Sequence, residues 1–375
     1  MRKTTLGDLV TFRTGKLNSN AAVATGQYPF FTCSQETYRI DSYSFDTECV
    51  LLAGNNAAGV YPLKYYKGKF DAYQRTYVIE SLDHRVLSTR FLYYLLRPQL
   101  ERLQTLSTGA ATKFLTLSIL KNIEVSLPNV DVQRRIASIL SAYDDLIENN
   151  TRRIAILEEM ARRIYEEWFV RFRFPGYEQV RMVESELGLI PEGWSVEKVA
   201  SVVQRLPAGQ TYKKESVAES GSVMVVDQST SDYLGFHDLD VDHPASVNAP
   251  RIIFGDHTCK LKLMLRPFSV GPNTIPFVGT GGLDSIYVFQ LVQGLVQTRE
   301  YKRHWTDFSD KQVVLCKKEL ASSYGDAVRG FFHLAQVLDD KNRTLRATRD
   351  LLLPKLISGE LDVSTLPEPE EAIAA

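Results

Sequence analysis

Two halves of this 375-residue chain carry the same features in the same order, which restricts the fold to two copies of one unit. Thr5-Leu6-Gly7-Asp8-Leu9-Val10 has a loose counterpart in Val196-Glu197-Lys198-Val199-Ala200-Ser201, each reading as a short helix or turn that leads into a domain. An apolar run ending in glycine and polar residues follows in both: Val50-Leu51-Leu52-Ala53-Gly54-Asn55-Asn56, and Ile252-Ile253-Phe254-Gly255-Asp256-His257-Thr258. Such a run predicts a buried strand that delivers a polar loop. Near the end of each half, the stretch from Lys113 to Ile123 aligns with that from Arg303 to Val313, 190 residues further on.

A long helical pattern then closes each half. Ile136, Ile139, Tyr143 and Leu146 are answered by Val328, Phe331, Ala335 and Leu338, three and four residues apart as a coiled-coil seam requires. The first stripe continues through Asn150, Ile154, Leu157, Ala161, Ile164 and Trp168, predicting a helix from about Val132 to Phe169 with a stutter at Leu146, Asn150 and Ile154. The second helix is predicted from about Gly325 to Ser358, with Asn342 on the stripe between Leu338 and Leu345. Pro354 should kink it or begin its end, and Gly359 should stop it. Helices that merely cover a domain average about 10 to 14 residues. These are longer, and each has an Asn inside its seam, so they are expected to pair with one another in fixed register. Arg173-Phe174-Pro175-Gly176-Tyr177 and Leu187-Gly188-Leu189-Ile190-Pro191-Glu192-Gly193-Trp194 punctuate the boundary between halves.

Composition narrows the function. A hydrophobic content of 44% is enough for real cores, and the length accommodates about two domains. With 44 Lys and Arg against 45 Asp and Glu, the net charge of −1 gives no global attraction for nucleic acid, so any DNA-binding face must be local. No apolar stretch has signal-peptide or membrane-span length, which predicts a soluble cytoplasmic protein without membrane contact. Cys33, Cys49, Cys259 and Cys316 form no C-x-x-C pair, and the six histidines no i, i+4 pair, so neither a disulfide framework nor a metal site is expected. Base methylation needs a proline-flanked acidic or Asn head, and the chain has no Pro-Pro pair. Gly15-Lys16 is followed by Leu17 and Gly68-Lys69 by Phe70, so no phosphate-cradling loop for ATP is present, and Gly279-Thr280-Gly281-Gly282 reads as a turn. No catalytic residues are assigned.

What remains is a set of local polar, basic and aromatic clusters. In the first half these are Asn55 and Asn56, Lys64, Lys67 and Lys69, Tyr73-Gln74-Arg75, and Thr112-Lys113; in the second, Asp256-His257-Thr258, Lys260 and Lys262, and Tyr301-Lys302-Arg303-His304. Arg and Lys read guanine or neutralise phosphate, and Asn and Gln read adenine, so these are the candidate DNA contacts. A charged, aromatic hairpin alone is more often a solvated strand face. Matching positions in both halves favour a function.

Three stretches resemble the specificity subunits of type I restriction-modification systems. Gly109-Ala110-Ala111-Thr112-Lys113-Phe114-Leu115, through Leu127-Pro128 to Gln133-Arg134-Arg135-Ile136-Ala137, is similar to the family's end of a target-recognition domain and start of a helix. The stretch from Leu187 to Trp194 resembles its entry into a second recognition domain, and that from Leu351 to Leu361 its C-terminal helix end. Gly255-Asp256-His257-Thr258 with Phe268-Ser269-Val270-Gly271 resembles a recurring second-domain variant. The proline-rich entry expected before the second helix is replaced by residues Cys316 to Tyr324, which leaves that helix's start open.

The resemblance implies an α/β (α+β) fold, with two target-recognition domains joined by two long antiparallel coiled-coil helices in a pseudo-twofold internal repeat. The boundaries expected are 1–130 and 195–322 for the recognition domains, 131–172 and 323–361 for the helices, 173–194 for the linker and 362–375 for an acidic tail. It further implies a non-catalytic subunit that reads a bipartite site on double-stranded DNA. Two methyltransferase subunits binding S-adenosylmethionine would dock on it, and motor-nuclease subunits using ATP and Mg would join for cleavage. The chain itself would hold no cofactor. A specificity subunit of another defence or orphan methylation system, or a plain coiled-coil scaffold, are the alternatives; neighbouring genes or sequence preference in DNA binding would separate them.

Overall fold

The computed structural model describes residues 2–56, 61–106, 113–298 and 302–364. The chain divides into two compact units, Met1–Glu148 with Arg343–Ala375, and Asn149–Asn342. Each takes one part of each long helix.

The first unit contains β1 (Arg2–Thr5), β2 (Val10–Thr14), β3 (Tyr28–Phe31), β4 (Thr37–Ile40), β5 (Phe45–Ala53), β6 (Asn55–Asn56), β7 (Leu63–Ala72) and β8 (Thr76–Ser81). After these come α1 (Thr89–Leu106), β9 (Lys113–Phe114), α2 (Leu117–Lys121), β10 (Glu124–Leu127) and the start of α3 (Val130–Tyr165). One sheet has the order β2-β8-β5-β7-β3-β4. Its β5 is apolar throughout Cys49–Ala53 because both faces are covered. Val50 and Leu52 meet Phe91, Leu92 and Leu95 of α1 on one side, while Cys49 and Leu51 meet Phe31 and Phe70 on the other, as a period of two dictates. Gln133, fully buried near the start of α3, accepts from Ser88 N (3.0 Å) and donates to Val86 O (2.8 Å) and Pro128 O (3.0 Å). Those bonds fix the helix entry, which explains a Gln at that position in an otherwise apolar setting.

The second unit follows the π-helical turn Glu166–Val170 that ends α3. It contains β11 (Met182–Ser185), β12 (Gly188–Pro191), β13 (Ser195–Lys198), α4 (Val199–Val202), β14 (Val203–Arg205), β15 (Val223–Val226) and β16 (Gly235–His237). Then come β17 (Arg251–Gly255), β18 (Leu261–Met264), β19 (Phe268–Val270), β20 (Thr274–Gly279), α5 (Ser285–Leu291), α6 (Trp305–Ser309), β21 (Gln312–Leu315) and α7 (Lys318–Ser358). The sheet order β14-β20-β17-β18 repeats β2-β8-β5-β7, and the antiparallel pair β13·β21 repeats β1·β10. The repeat is thus one of topology. Its register differs from the sequence alignment: α2 and α6, β10 and β21, and α3 and α7 each begin 188 residues apart (117 and 305, 124 and 312, 130 and 318), not 190.

The long helices pair antiparallel, and the pairing is visible inside each unit. In the first, Ile136, Ala137 and Leu140 of α3 share a core with Leu353 and Leu356 of α7. Asp144 there accepts the Tyr94 hydroxyl (2.7 Å) and pairs with Arg349. In the second unit, the Asn150 amide donates to the Asn342 carbonyl oxygen (2.9 Å), and Asn342 donates to Thr151 Oγ1 (3.2 Å). The two seam asparagines therefore meet each other, as their pattern predicts. On the first seam the buried residue is Ile147 rather than Leu146, which is 52% exposed; the stripe shifts by one where the stutter was expected.

α7 starts at Lys318, seven residues before the predicted Gly325. Serines and a glycine in that stretch read as breakers, yet Ala321, Tyr324 and Val328 are fully buried at helical spacing. Gly325 lies inside the helix, and the position is glycine because a Cβ there would lie 2.4 Å from the Asp284 carboxylate. Pro354 sits within the helix, which runs on to Ser358, and Gly359 stops it at φ +78.

Replacing Asn342 with Leu leaves the Asn150 amide against a methyl group, and is expected to cost about 1–3 kcal/mol. The double change Asn150→Leu with Asn342→Leu should be near neutral or stabilising, since no polar group is then stranded. Urea midpoints of the full chain check both; an unchanged single variant removes the asparagine pair from the stability of the second unit.

Candidate nucleic-acid interface

In the first unit the polar loop after β5 lies against the segment that precedes α2. Asn55 pairs with Phe114 in a two-residue ladder, and Leu115 N donates to Gly54 O (2.9 Å). The turn between β7 and β8 closes on the same place, since Gly54 N donates to Arg75 O (2.8 Å). The result is an open cleft of about 420 Å³ lined by Thr14, Asn55, Gln74, Arg75, Tyr77 and Thr116, among others. Arg75 is exposed, and its guanidinium forms no ion pair among the described residues. Gln74 is exposed and donates to Asn18 Oδ1 (2.9 Å); Asn55 Oδ1 receives Cys33 Sγ (3.2 Å). Tyr73 is half-buried beside them. A cleft edged with a free guanidinium, two carboxamides and hydroxyls offers the donor and acceptor pattern that base edges require.

The lysines of β7 do not join this cleft. Lys64 Nζ donates to Glu36 O (2.7 Å) and Thr37 Oγ1 (3.1 Å), and burial lowers its pKa. Lys67 pairs with Glu48 (3.5 Å), and Lys69 lies over the Tyr43 ring (4.7 Å). They anchor the sheet's own surface. Thr112 lies outside the described residues, and the side chains of Asn56 and Lys113 are likewise undescribed.

The second unit repeats the juxtaposition: the loop after β17 meets the segment before α6, with His304 N donating to Asp256 O (2.7 Å). Here several candidates prove to be internal supports. Asp256 is buried, and its Oδ1 accepts from His304 N (3.1 Å) and Trp305 N (2.9 Å), holding the start of α6. His304 is 3% exposed and faces Asp307 (3.8 Å), so it is no surface contact. Lys260 Nζ donates to the carbonyls of Asp227 (3.2 Å), Ser229 (2.7 Å) and Ser231 (2.5 Å), with its pKa lowered by burial. It shapes that loop instead of reaching outward. Lys262 is bound to Asp232 (3.1 Å to its carbonyl) and lines a different cavity.

His257, Thr258, Lys302 and Arg303 do come together. The His257 ring nitrogen Nδ1 lies 3.0 Å from Lys302 O, Thr258 Oγ1 donates to Gln228 O (2.6 Å), and Gln228 Oε1 accepts from His257 N (2.9 Å). Arg303 pairs with the buried Asp256 (3.7 Å) yet leaves 78% of its side chain exposed, and Lys302 pairs with Asp307 (3.0 Å). Tyr301 lies outside the described residues. Sequence reasoning missed Thr14, Asn18, Thr116 and Gln228; Thr14, Asn18 and Gln228 lie about 30 to 60 residues along the chain from the side chains they meet, and Thr116 carries no charge or aromatic ring to mark it.

Among the described residues, no group of His, Cys, Asp or Glu is placed to hold a metal ion, and no helix is long and apolar enough to cross a membrane.

The arrangement has relatives. Residues 1–159 match the family model of the type I restriction modification DNA specificity domain. The specificity subunit of the Escherichia coli type I restriction enzyme EcoDI is 34% identical over 231 residues, 55% of this chain and 50% of that protein. That of the Methanocaldococcus jannaschii enzyme MjaIX is 25% identical over 306 residues, covering 74% of this chain and 70% of the relative. The match thus spans half the length of the first relative and about seven tenths of the second. The crystal structure of a type I restriction-modification S subunit from M. genitalium shares the fold, with a TM-score of 0.61 over 95% of both chains at 17% identity. Residues 1–159 thus match the DNA specificity domain of this family, and the chain is similar to type I restriction enzyme specificity subunits.

Proposed function

We propose that this chain is the DNA-reading subunit of a type I restriction-modification complex, with each unit reading one half of a bipartite duplex site. The observation that carries this is the recurrence, in both units, of one strand order that presses a polar loop against the segment before a short helix. Two equivalent loops suit two half-sites. In this reading the chain performs no chemistry: two methyltransferase subunits supply S-adenosylmethionine, and motor-nuclease subunits bring ATP and Mg. The paired helices set the unread spacer between the half-sites.

The test is co-expression with the partner methyltransferase and mapping of methylated adenines across the host genome. Wild type is expected to give a two-part motif with a fixed spacer, and the pure chain with S-adenosylmethionine to methylate nothing. Arg75→Ala and Arg303→Ala should each weaken DNA binding by about 1–3 kcal/mol and relax one half of the motif only. A single contiguous motif, or methylation by the chain alone, sinks the proposal.

A further inference from the structure

The cleft of the first unit closes on the turn Tyr73-Gln74-Arg75 between β7 and β8, and the second unit has a turn of the same length at the same place, Gly271-Pro272-Asn273 between β19 and β20. Matching backbone hydrogen bonds establish the equivalence. Tyr73 N donates to Phe31 O at the end of β3, and Gly271 N to Val226 O at the end of β15, both at 2.8 Å. Arg75 O accepts from Gly54 N after β5, and Asn273 O from Asp256 N after β17, again both at 2.8 Å. Gly54 O and Asp256 O in turn receive Leu115 N (2.9 Å) and His304 N (2.7 Å) from the segments before α2 and α6. The strands agree. β7 pairs antiparallel with β5 and, at its end, parallel with β3; in the second unit β18 takes the first pairing, with β17, and β19 the second, with β15.

Asn273 thus stands where Arg75 stands, although neither residue flanking it is basic or aromatic. Its backbone is held at φ +56, a region that glycine occupies freely and that costs other residues energy, Asn among the least. Pro272 before it has its own φ fixed by the ring. The position keeps a side chain where glycine would suit the turn better, and that carboxamide is exposed, with no hydrogen bond among the described residues. Asp256, whose N–H binds Asn273 O, also pairs with the exposed Arg303 (3.7 Å), so the turn is tied to an outward cation.

The two turns present different chemistry. A guanidinium offers only donors and matches O6 and N7 of guanine, while a carboxamide offers a donor and an acceptor and matches N6 and N7 of adenine. Asn has no charge with which to neutralise a phosphate, so its exposure here favours a base edge. We infer that Asn273 is a specificity-determining residue of the second unit, reading an adenine in one half-site, while Arg75 in the matching turn reads a guanine in the other. This rests on the DNA-reading role proposed above.

The test maps methylated sites with the full chain co-expressed with its partner methyltransferase, as wild type, Asn273→Gly, Asn273→Asp and Arg75→Asn. Asn273→Gly keeps the turn conformation and removes the carboxamide; it is expected to lower the preference for adenine at one motif position by about tenfold or more and to leave the other half-site as it was. Asn273→Asp keeps the acceptor and loses the donor, and is expected to exchange that adenine for cytosine, whose N4 donates. Arg75→Asn should turn one guanine of the other half-site into adenine. A purely structural role for Asn273 would change the amount of methylation without moving the motif. Absence of a two-part motif in the wild type overturns the DNA-reading role itself. A two-part wild-type motif that both Asn273 variants leave unchanged or abolish outright, or that they alter in the same half-site as Arg75→Asn, overturns the inference alone.

Discussion

Four residues inserted into α3 between Glu148 and Asn149, with four more in α7 between Asn342 and Arg343, are expected to lengthen the recognised spacer by about one or two base pairs. The positions are the points where the chain passes from one compact unit to the other, so the contacts within each unit survive, including the Asn150–Asn342 bond. Four helical residues add about 6 Å, against about 3.4 Å per base-pair step. They turn the seam by only about 40 degrees beyond a full turn. Two residues at the same points turn it by about 160 degrees, which should abolish assembly with the methyltransferase. Methylome sequencing reads both results. A four-residue variant that methylates normally at the original spacer ends the idea that helix length measures the site.

Tyr324→Ala is expected to unfold the second unit more readily than any other single truncation on the helix pair, by about 4 kcal/mol. The ring is fully buried and lies among Tyr165, Trp168 and Phe169, at centroid distances of 5.9, 6.1 and 5.4 Å. Its hydroxyl donates to Ala161 O (2.9 Å). That single bond ties the start of α7 to the last turns of α3, so Tyr324→Phe should keep the packing and lose only about 1 kcal/mol. Guanidinium unfolding followed by tryptophan fluorescence separates the two variants, since Trp168 sits in the affected cluster. Similar losses in both would place the stabilisation in the hydroxyl rather than the ring.

Much of this architecture was legible in the residues alone. The two stripes of α3 and α7 and their asparagines follow from spacing along one helix, a local property. The equivalence of β5 and β17 was readable as two apolar runs ending in glycine, because a strand covered on both faces has no polar option. Even the stop at Gly359 is local, a positive φ suited to glycine.

What the tertiary structure alone decided is the work of each polar side chain. Asp256, Lys260 and His304 have the composition of a DNA-contacting loop, yet their partners are backbone groups, Arg303 for Asp256 and Asp307 for His304, and two of the three are buried. Arg75 and Arg303 are no different in type and face outward. A side chain's hydrogen-bonding capacity is written in its chemistry, but whether that capacity is used inside or offered outside depends on groups 30 or more residues away, such as Gln228 for Thr258. The same holds for the early start of α7, where burial of Ala321 and Tyr324 against distant residues overrides the neighbouring Ser322, Ser323 and Gly325. Periodic burial is therefore fixed by sequence at short range, while polar function is fixed by non-local neighbours that periodicity does not encode.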